Sequence, residues 1–259
     1  MQLGTFWDRT KPLSGALLLQ AHDPQVKGLV AAWMFNEGGG SVIRDATQRY
    51  DASLTLDTIL WGGGARGPGG LTGVATTSTT PGVTLPSHMP ALTRYAIEFY
   101  VTRIPIGNSY SCICTQGGAR GLFLTSDVAG SLINFFETTD HFGTRAIPFG
   151  VPAHIMVTTR GSGTMDYYLN GVLDSTQSFT IPTFTPNSLM NDSASQTLAG
   201  VLEWVRVWDC TQRPEFTAAD AWALYSDPFR MFRPQPELLA LMMANAMVAQ
   251  QGRYYFFLR

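Results

Sequence analysis

Two runs constrain the fold more than any other feature: Arg94–Arg103 (RYAIEFYVTR) and Gly200–Asp209 (GVLEWVRVWD). In the first, Ile97, Phe99 and Val101 alternate with Ala96, Glu98 and Tyr100; in the second, Val205 and Val207 alternate with Trp204 and Trp208. A period of two is the pleat of a β-strand, because successive side chains point to opposite faces. Shorter runs of the same kind fall at Ser111–Cys114, Leu122–Thr125, Leu132–Phe136 and Ala153–Thr159. MDYYLNGVLD predicts a hairpin turning at Asn170-Gly171, since both central positions of a type I′ turn need positive φ. The intervening loops are rich in Gly, Pro, Ser and Thr, and only 14% of the 259 residues are charged. Many short strands joined by such turns predict an all-β, two-sheet antiparallel sandwich.

The ends differ from the middle. Residues 1–27 carry polar and proline breaks and predict an extended N-terminal arm, followed by the β domain over 28–229. Thr217 is placed to cap a helix that stops before Pro228. Residues 230–259 then predict a second helix, ELLALMMANAMVAQQ, bounded by Pro236 and Gly252, and an aromatic tail, RYYFFLR. That helix is apolar on nearly every face, and the free tail would be an aggregation hazard. Both are expected to dock. Phe6, Trp7, Leu238, Leu239, Met242, Met243, Tyr254, Tyr255, Phe256 and Phe257 are the residues expected in such an assembly interface.

Composition removes several classes of function. A net charge of -2 gives no basic excess for nucleic acid, and no stretch reaches the length of a membrane span. The first residues lack the basic leader and apolar core of a secretion signal. Three cysteines, with Cys112 and Cys114 expected on one strand face, do not form a disulfide framework and predict free thiols made in a reducing compartment. The AAWMFNEGGG stretch lacks the Lys-Ser/Thr of a phosphate loop and returns to a strand-like run, so a tight turn braced by Glu37 is expected.

Together these motifs resemble the laminin-G-like, concanavalin A-type jelly roll. GLVAAWMFNEGGGSVIRDATQRYDASL resembles its opening strand and Asn-Glu-Gly-x-Gly turn, and Trp61 with its glycines matches the next Trp-Gly segment. GVTLPSHMPALTRYAIEFYV, PAHIMVTTRGSGTMDYYLNGVL and LAGVLEWVRVWDCTQRPEFTAADAWALYSDPF follow in the family's order, so the likeness runs from Gly28 to Phe229. ALYSDPFRMFRPQP is similar to bacteriophage-encoded versions of the domain.

The resemblance implies three kinds of chemistry. Some relatives hold a structural calcium, for which Glu37 and Asp45 are the candidate ligands. Glucanase relatives carry alternating acids on one strand; here Glu98, Glu137 and Glu203 are isolated, so no catalysis is expected. His141 and His154 make no metal pattern, and no Gly-x-Ser-x-Gly elbow is present. Lectin sites combine an aromatic face with polar loop groups, which NFFETTDHFG supplies as Phe136, Asp140, His141 and Phe142. The expected protein is a non-catalytic virion component of a capsid or tail, assembled in the host cytoplasm and exposed on the particle. Its expected partners are copies of itself, other virion proteins and surface glycans. A stand-alone lectin module and a divergent polysaccharide hydrolase are the alternatives.

Overall fold

The computed structural model describes residues 11, 19–55, 59–66, 69–73, 82–105, 110–117, 120–127, 130–161, 163–190 and 196–232. Sixteen strands and one α-helix lie among them. In chain order the strands are β1 (Leu29–Trp33), β2 (Val42–Ile43), β3 (Ala52–Leu54), β4 (Ile59–Trp61), β5 (Leu71–Gly73) and β6 (Val83–Thr84). Next come β7 (Tyr95–Arg103), β8 (Tyr110–Gln116), β9 (Arg120–Asp127), β10 (Gly130–Phe136) and β11 (Asp140–Phe142). The last are β12 (Ala153–Arg160), β13 (Thr164–Leu169), β14 (Val172–Ser178), β15 (Ser188–Leu189) and β16 (Gly200–Asp209), before helix α1 (Ala218–Ser226).

The first sheet runs β14-β13-β12-β7-β16-β5-β4, with β1 also paired to β16, and the second runs β11-β10-β9-β8-β15-β6-β3-β2. Every named pairing is antiparallel, as the sandwich expectation required. Between the sheets lies a core that includes Trp33, Phe99, Tyr167, Phe135, Phe184 and Val205. Asn170 and Gly171 have φ of 52° and 76°, the left-handed pair that a type I′ turn requires. Thr217 caps α1 and Asp220 bonds back to it, closing a capping box.

Two of the four register shifts among the described strands modify the strand reading. One extra residue at Glu203 shifts the register of β16 between Leu202 and Trp204, so Leu202 and Val205 both face the inter-sheet core. Another bulge lies between Cys112 and Cys114. Cys114 enters the core opposite Leu122, while Cys112 pairs with Phe123 on the outer face. The two thiols therefore do not share a face, contrary to simple alternation; both are buried and free, as is Cys210.

The outer face of the first sheet is covered as well. Trp204, Trp208, Tyr100, Tyr168 and Met156 form a second core with Leu224 of α1 and with Phe216, Phe229, Met231 and Phe232. Leu19 and Val26 pack on the same cluster, and the Trp208 indole donates to the Gln25 carbonyl at 2.7 Å. The part of the expected arm that is described thus lies on its own domain. It also meets the segment after α1: Gln20 N–H donates to the Met231 carbonyl at 2.8 Å, and Arg230 pairs with Asp23 at 2.7 Å. Phe6, Trp7 and the residues from Leu238 to Phe257 expected at an interface lie outside the described residues.

Strand β14 is an edge of the first sheet, and its rim is occupied. The Asp174 carboxylate accepts from the backbone of Thr144 (2.7 Å) and Arg145 (2.9 Å). In return the Thr144 hydroxyl donates to the Asp174 carbonyl at 3.1 Å, and Arg145 Nη2 to the Val172 carbonyl at 3.0 Å.

Candidate glycan-contact face and the sealed carboxylates

Hairpin β10–β11 brings three of the four candidate lectin residues together. Its register pairs Phe136 with Asp140 and Asn134 with Phe142, so these four side chains share the outer face of the second sheet. Phe135 and His141 pair on the opposite face. Consistently, Phe135 belongs to the inter-sheet core and the His141 ring stacks on Phe179 at 3.7 Å. His141 is therefore not on the face that carries Asp140. Alternation along the strand separates it from its neighbours, and Tyr167 OH donates to its carbonyl at 2.8 Å.

Asp140 is oriented by two partners that sequence reading did not single out. Its Oδ1 accepts from Asn134 Nδ2 at 2.6 Å and its Oδ2 from Tyr110 OH at 3.0 Å. Asn134 is fully buried and is itself fixed, its Oδ1 accepting from His141 N–H at 3.0 Å. Tyr110 also meets Phe123 edge to face at 6.2 Å. Each carboxylate oxygen accepts about two hydrogen bonds, so Asp140 retains capacity for a hydroxyl donor. Half-buried Phe136 and Phe142, 39% exposed, give that carboxylate an apolar border.

The Asn-Glu-Gly turn is a brace. Glu37 Oε1 accepts from Arg44 N–H at 2.7 Å, and burial raises the pKa of this carboxyl. Asp45 is 3% exposed. Its Oδ1 accepts from the backbone of Ala32 (2.8 Å) and Thr47 (3.0 Å). Its Oδ2 accepts from Arg49 N–H (3.2 Å), Tyr50 N–H (3.0 Å) and the Thr47 hydroxyl. Five donors saturate the lone pairs of Asp45, so it does not fit a calcium ligand. Among the described residues, no group of three His, Cys, Asp or Glu side chains is gathered to hold a metal ion.

The three isolated glutamates are separated. Glu98, fully buried on the outer face of the first sheet, accepts from His154 Nε2 (2.9 Å) and Trp204 Nε1 (3.1 Å) and pairs with Arg206 at 3.1 Å. Desolvation would push its pKa up, but the Arg206 charge and the His154 and Trp204 hydrogen bonds outweigh this and hold it below the usual range. His154 is itself 1% exposed, so this bond lies in the interior. Glu203 accepts from Ala65 and Arg66 N–H at 2.7 and 2.9 Å. It lies so close that a Cβ on Gly64 would come 2.3 Å from its Oε2. Glu137 bonds only locally, accepting from Thr138 at 3.4 Å.

A family model described as the concanavalin A-like lectin/glucanases superfamily matches residues 77–215. No curated protein matches the sequence. Among solved structures, domain 4 of AbnA, a GH43 extracellular arabinanase from Geobacillus stearothermophilus in complex with arabinotriose, superposes with a TM-score of 0.58 at 15% identity, covering 77% of this chain and 98% of that one. Trypanosoma rangeli sialidase in complex with sialic acid gives 0.56 at 13% identity over 79% of this chain, which spans only 33% of the sialidase. The binding domain of Paraclostridial Mosquitocidal Protein 1 gives 0.56 at 12% identity, with 78% and 53% covered. At these identities the structural likenesses speak for the fold alone. With its two antiparallel sheets and a sequence match across more than half its length, the chain belongs to the concanavalin A-like lectin/glucanase superfamily.

Proposed function

We propose that this protein is a non-catalytic structural component of a virion, on a capsid or tail, that contacts surface glycans through the outer face of its second sheet. The observation that carries the reading is the difference between the two outer faces. One is covered by α1 and by residues 19–26 and 229–232, which meet on it; the other bears Asp140 held by Asn134 and Tyr110 beside Phe136 and Phe142. Aromatic surface next to an oriented carboxylate suits a sugar ring, with apolar C–H contact and hydroxyls donated to the carboxylate. A solved neighbour, AbnA domain 4, is complexed with arabinotriose. Free, buried thiols suit assembly in a host cytoplasm. The phage-like run ALYSDPFRMFRPQP supports the particle setting. Glu98 and Glu203 are engaged by internal donors rather than facing each other across a cleft, which favours a role without hydrolysis.

Titration of the full-length protein with neutral and acidic oligosaccharides tests the glycan part. Binding should weaken at least ~10-fold in Asp140→Ala, the loss of about one charge-assisted hydrogen bond, beside a fall in thermal midpoint from leaving the buried Asn134 amide without its acceptor. Unaltered binding in that variant would remove the assigned face. Deletion of Gln235–Arg259 tests the particle part: incorporation into particles should be lost while sugar binding persists. Sugar binding by a protein that is never found in particles would leave the stand-alone lectin reading.

A further inference from the structure

The hydrogen bonds at Asp140 run one way. Asn134 Nδ2 and Tyr110 OH both direct donors onto the carboxylate, one to each oxygen. Each oxygen accepts about two hydrogen bonds, so one lone pair on Oδ1 and one on Oδ2 remain for a ligand. Two acceptors on one planar group match a pair of neighbouring hydroxyls on a sugar ring. They offer nothing to a ligand carboxylate, which when ionised only accepts. The flanking Phe136 and Phe142 add no side-chain donor.

Charge points the same way. Among the described residues Asp140 enters no ion pair. Residues 104–144, the run that contains β8, β9, β10 and β11, hold no lysine and one arginine, Arg120, against three acids, Asp127, Glu137 and Asp140. Arg120 alternates with Gly121, which pairs with Phe136 on the outer face, so its position falls on the opposite side with Leu122 and Leu124. The next strand of the sheet, β15, is Ser188–Leu189 and brings no cation. Arg145, the next cation along the chain, is held by Asp174 at 2.9 Å.

We propose that this site selects neutral saccharides with adjacent free hydroxyls and rejects those that carry a carboxylate, such as sialic and uronic acids. The inference rests on the glycan reading of this face and adds which sugars the face admits. Two like charges ~6 Å apart at a protein surface repel enough for about a tenfold loss of affinity, and salt screens that repulsion.

Titration of the full-length protein with arabinotriose, xylotriose and lactose, set against trigalacturonate and sialyllactose, tests it. At least one neutral sugar should bind, with the acidic ones at least ~10-fold weaker in low salt. The gap should narrow as salt rises. It should shrink to under ~3-fold in Asp140→Asn, which keeps the shape and a carbonyl acceptor but drops the charge. The salt series is read on the natural protein, so it holds even where the variant folds poorly. Acidic sugars bound as tightly as neutral ones would overturn the selectivity and leave glycan contact at this face standing. A gap that salt leaves unchanged, or that persists in folded Asp140→Asn, would do the same. Binding of neither kind would overturn the glycan reading and the selectivity with it.

Discussion

The two outer faces of this sandwich start from the same alternating strands and are filled in different ways. On the first sheet, large aromatics alternate outward, and the chain's non-strand segments return to cover them, making Trp204, Trp208 and Tyr100 a second core. On the second sheet the outward positions include Thr115, Ser188, Asn134 and Asp140, already bonded to one another or to neighbouring strands. A period of two therefore decides which residues share a face. Whether that face becomes core depends on side-chain size and on which segments come back over it. The Glu98–Arg206 pair sharpens the contrast, because a carboxylate and a guanidinium sit fully buried in the sealed face at 3.1 Å from each other while Arg206 Nη2 has no hydrogen-bond partner among the described residues.

The largest test of this contrast is truncation of an aromatic on each side. Trp204→Ala should lower unfolding free energy by about 3–5 kcal/mol, and Phe136→Ala by under ~1 kcal/mol, in urea denaturation. Equal losses would mean that both faces are core. Next, Arg206→Met leaves Glu98 buried without its cation and should cost about 3 kcal/mol, whereas replacing Glu98, His154 and Arg206 together with apolar residues should recover much of that loss. A triple variant no better than the single one would show that packing, rather than charge balance, dominates the site.

Acid should act next, and through specific groups. Glu98 and Asp174 are both held below their ordinary pKa, against desolvation: Glu98 chiefly by Arg206, Asp174 by hydrogen bonds from Thr144 and Arg145. Their contribution is complete above the unfolded-chain values near pH 4 and is lost as pH falls through the lower folded values. The urea midpoint should hold between about pH 7 and 5 and then fall, with a shallower fall in Glu98→Gln.

At alkaline pH the group to watch is Lys11, buried and donating from Nζ to the Gly69 carbonyl at 2.8 Å. Burial lowers its pKa to about 8, partly offset by Glu203 and Glu37. The fold thus favours the neutral amine, and stability should rise as pH climbs from about 8 toward the unfolded value near 10.4. Lys11→Met should flatten that rise in a urea series while changing the pH 7 midpoint little.

Much of the fold was legible because its signals are local. Alternation marked β7 and β16, Asn-Gly marked the hairpin, and Thr217 with Asp220 marked the start of α1. The bulges were not legible, because an extra residue shows only against a partner strand; that is why Cys112 and Cys114 were expected on one face. In the candidate site, strand parity alone separates His141 from Asp140 and Phe142, once 140–142 is known to be a strand. Asn134 and Tyr110 could not be found that way, since their contact with Asp140 depends on which strands are neighbours. The Glu98 cluster draws its members from β7, β12 and β16, so no local pattern announces it.

The way Thr144 and Arg145 occupy the rim of β14 has a consequence for life at high local concentration. A sheet edge with vacant donors and acceptors is an invitation to fibrillation, and proteins packed side by side meet that hazard constantly. Here Asp174 pins a short stretch of backbone along the rim, and carbonyls that could recruit a foreign strand are already taken. Copies crowded together would be kept from zipping along this border. Replacing Asp174 would then show first as turbidity on storage, before any change in what the protein binds.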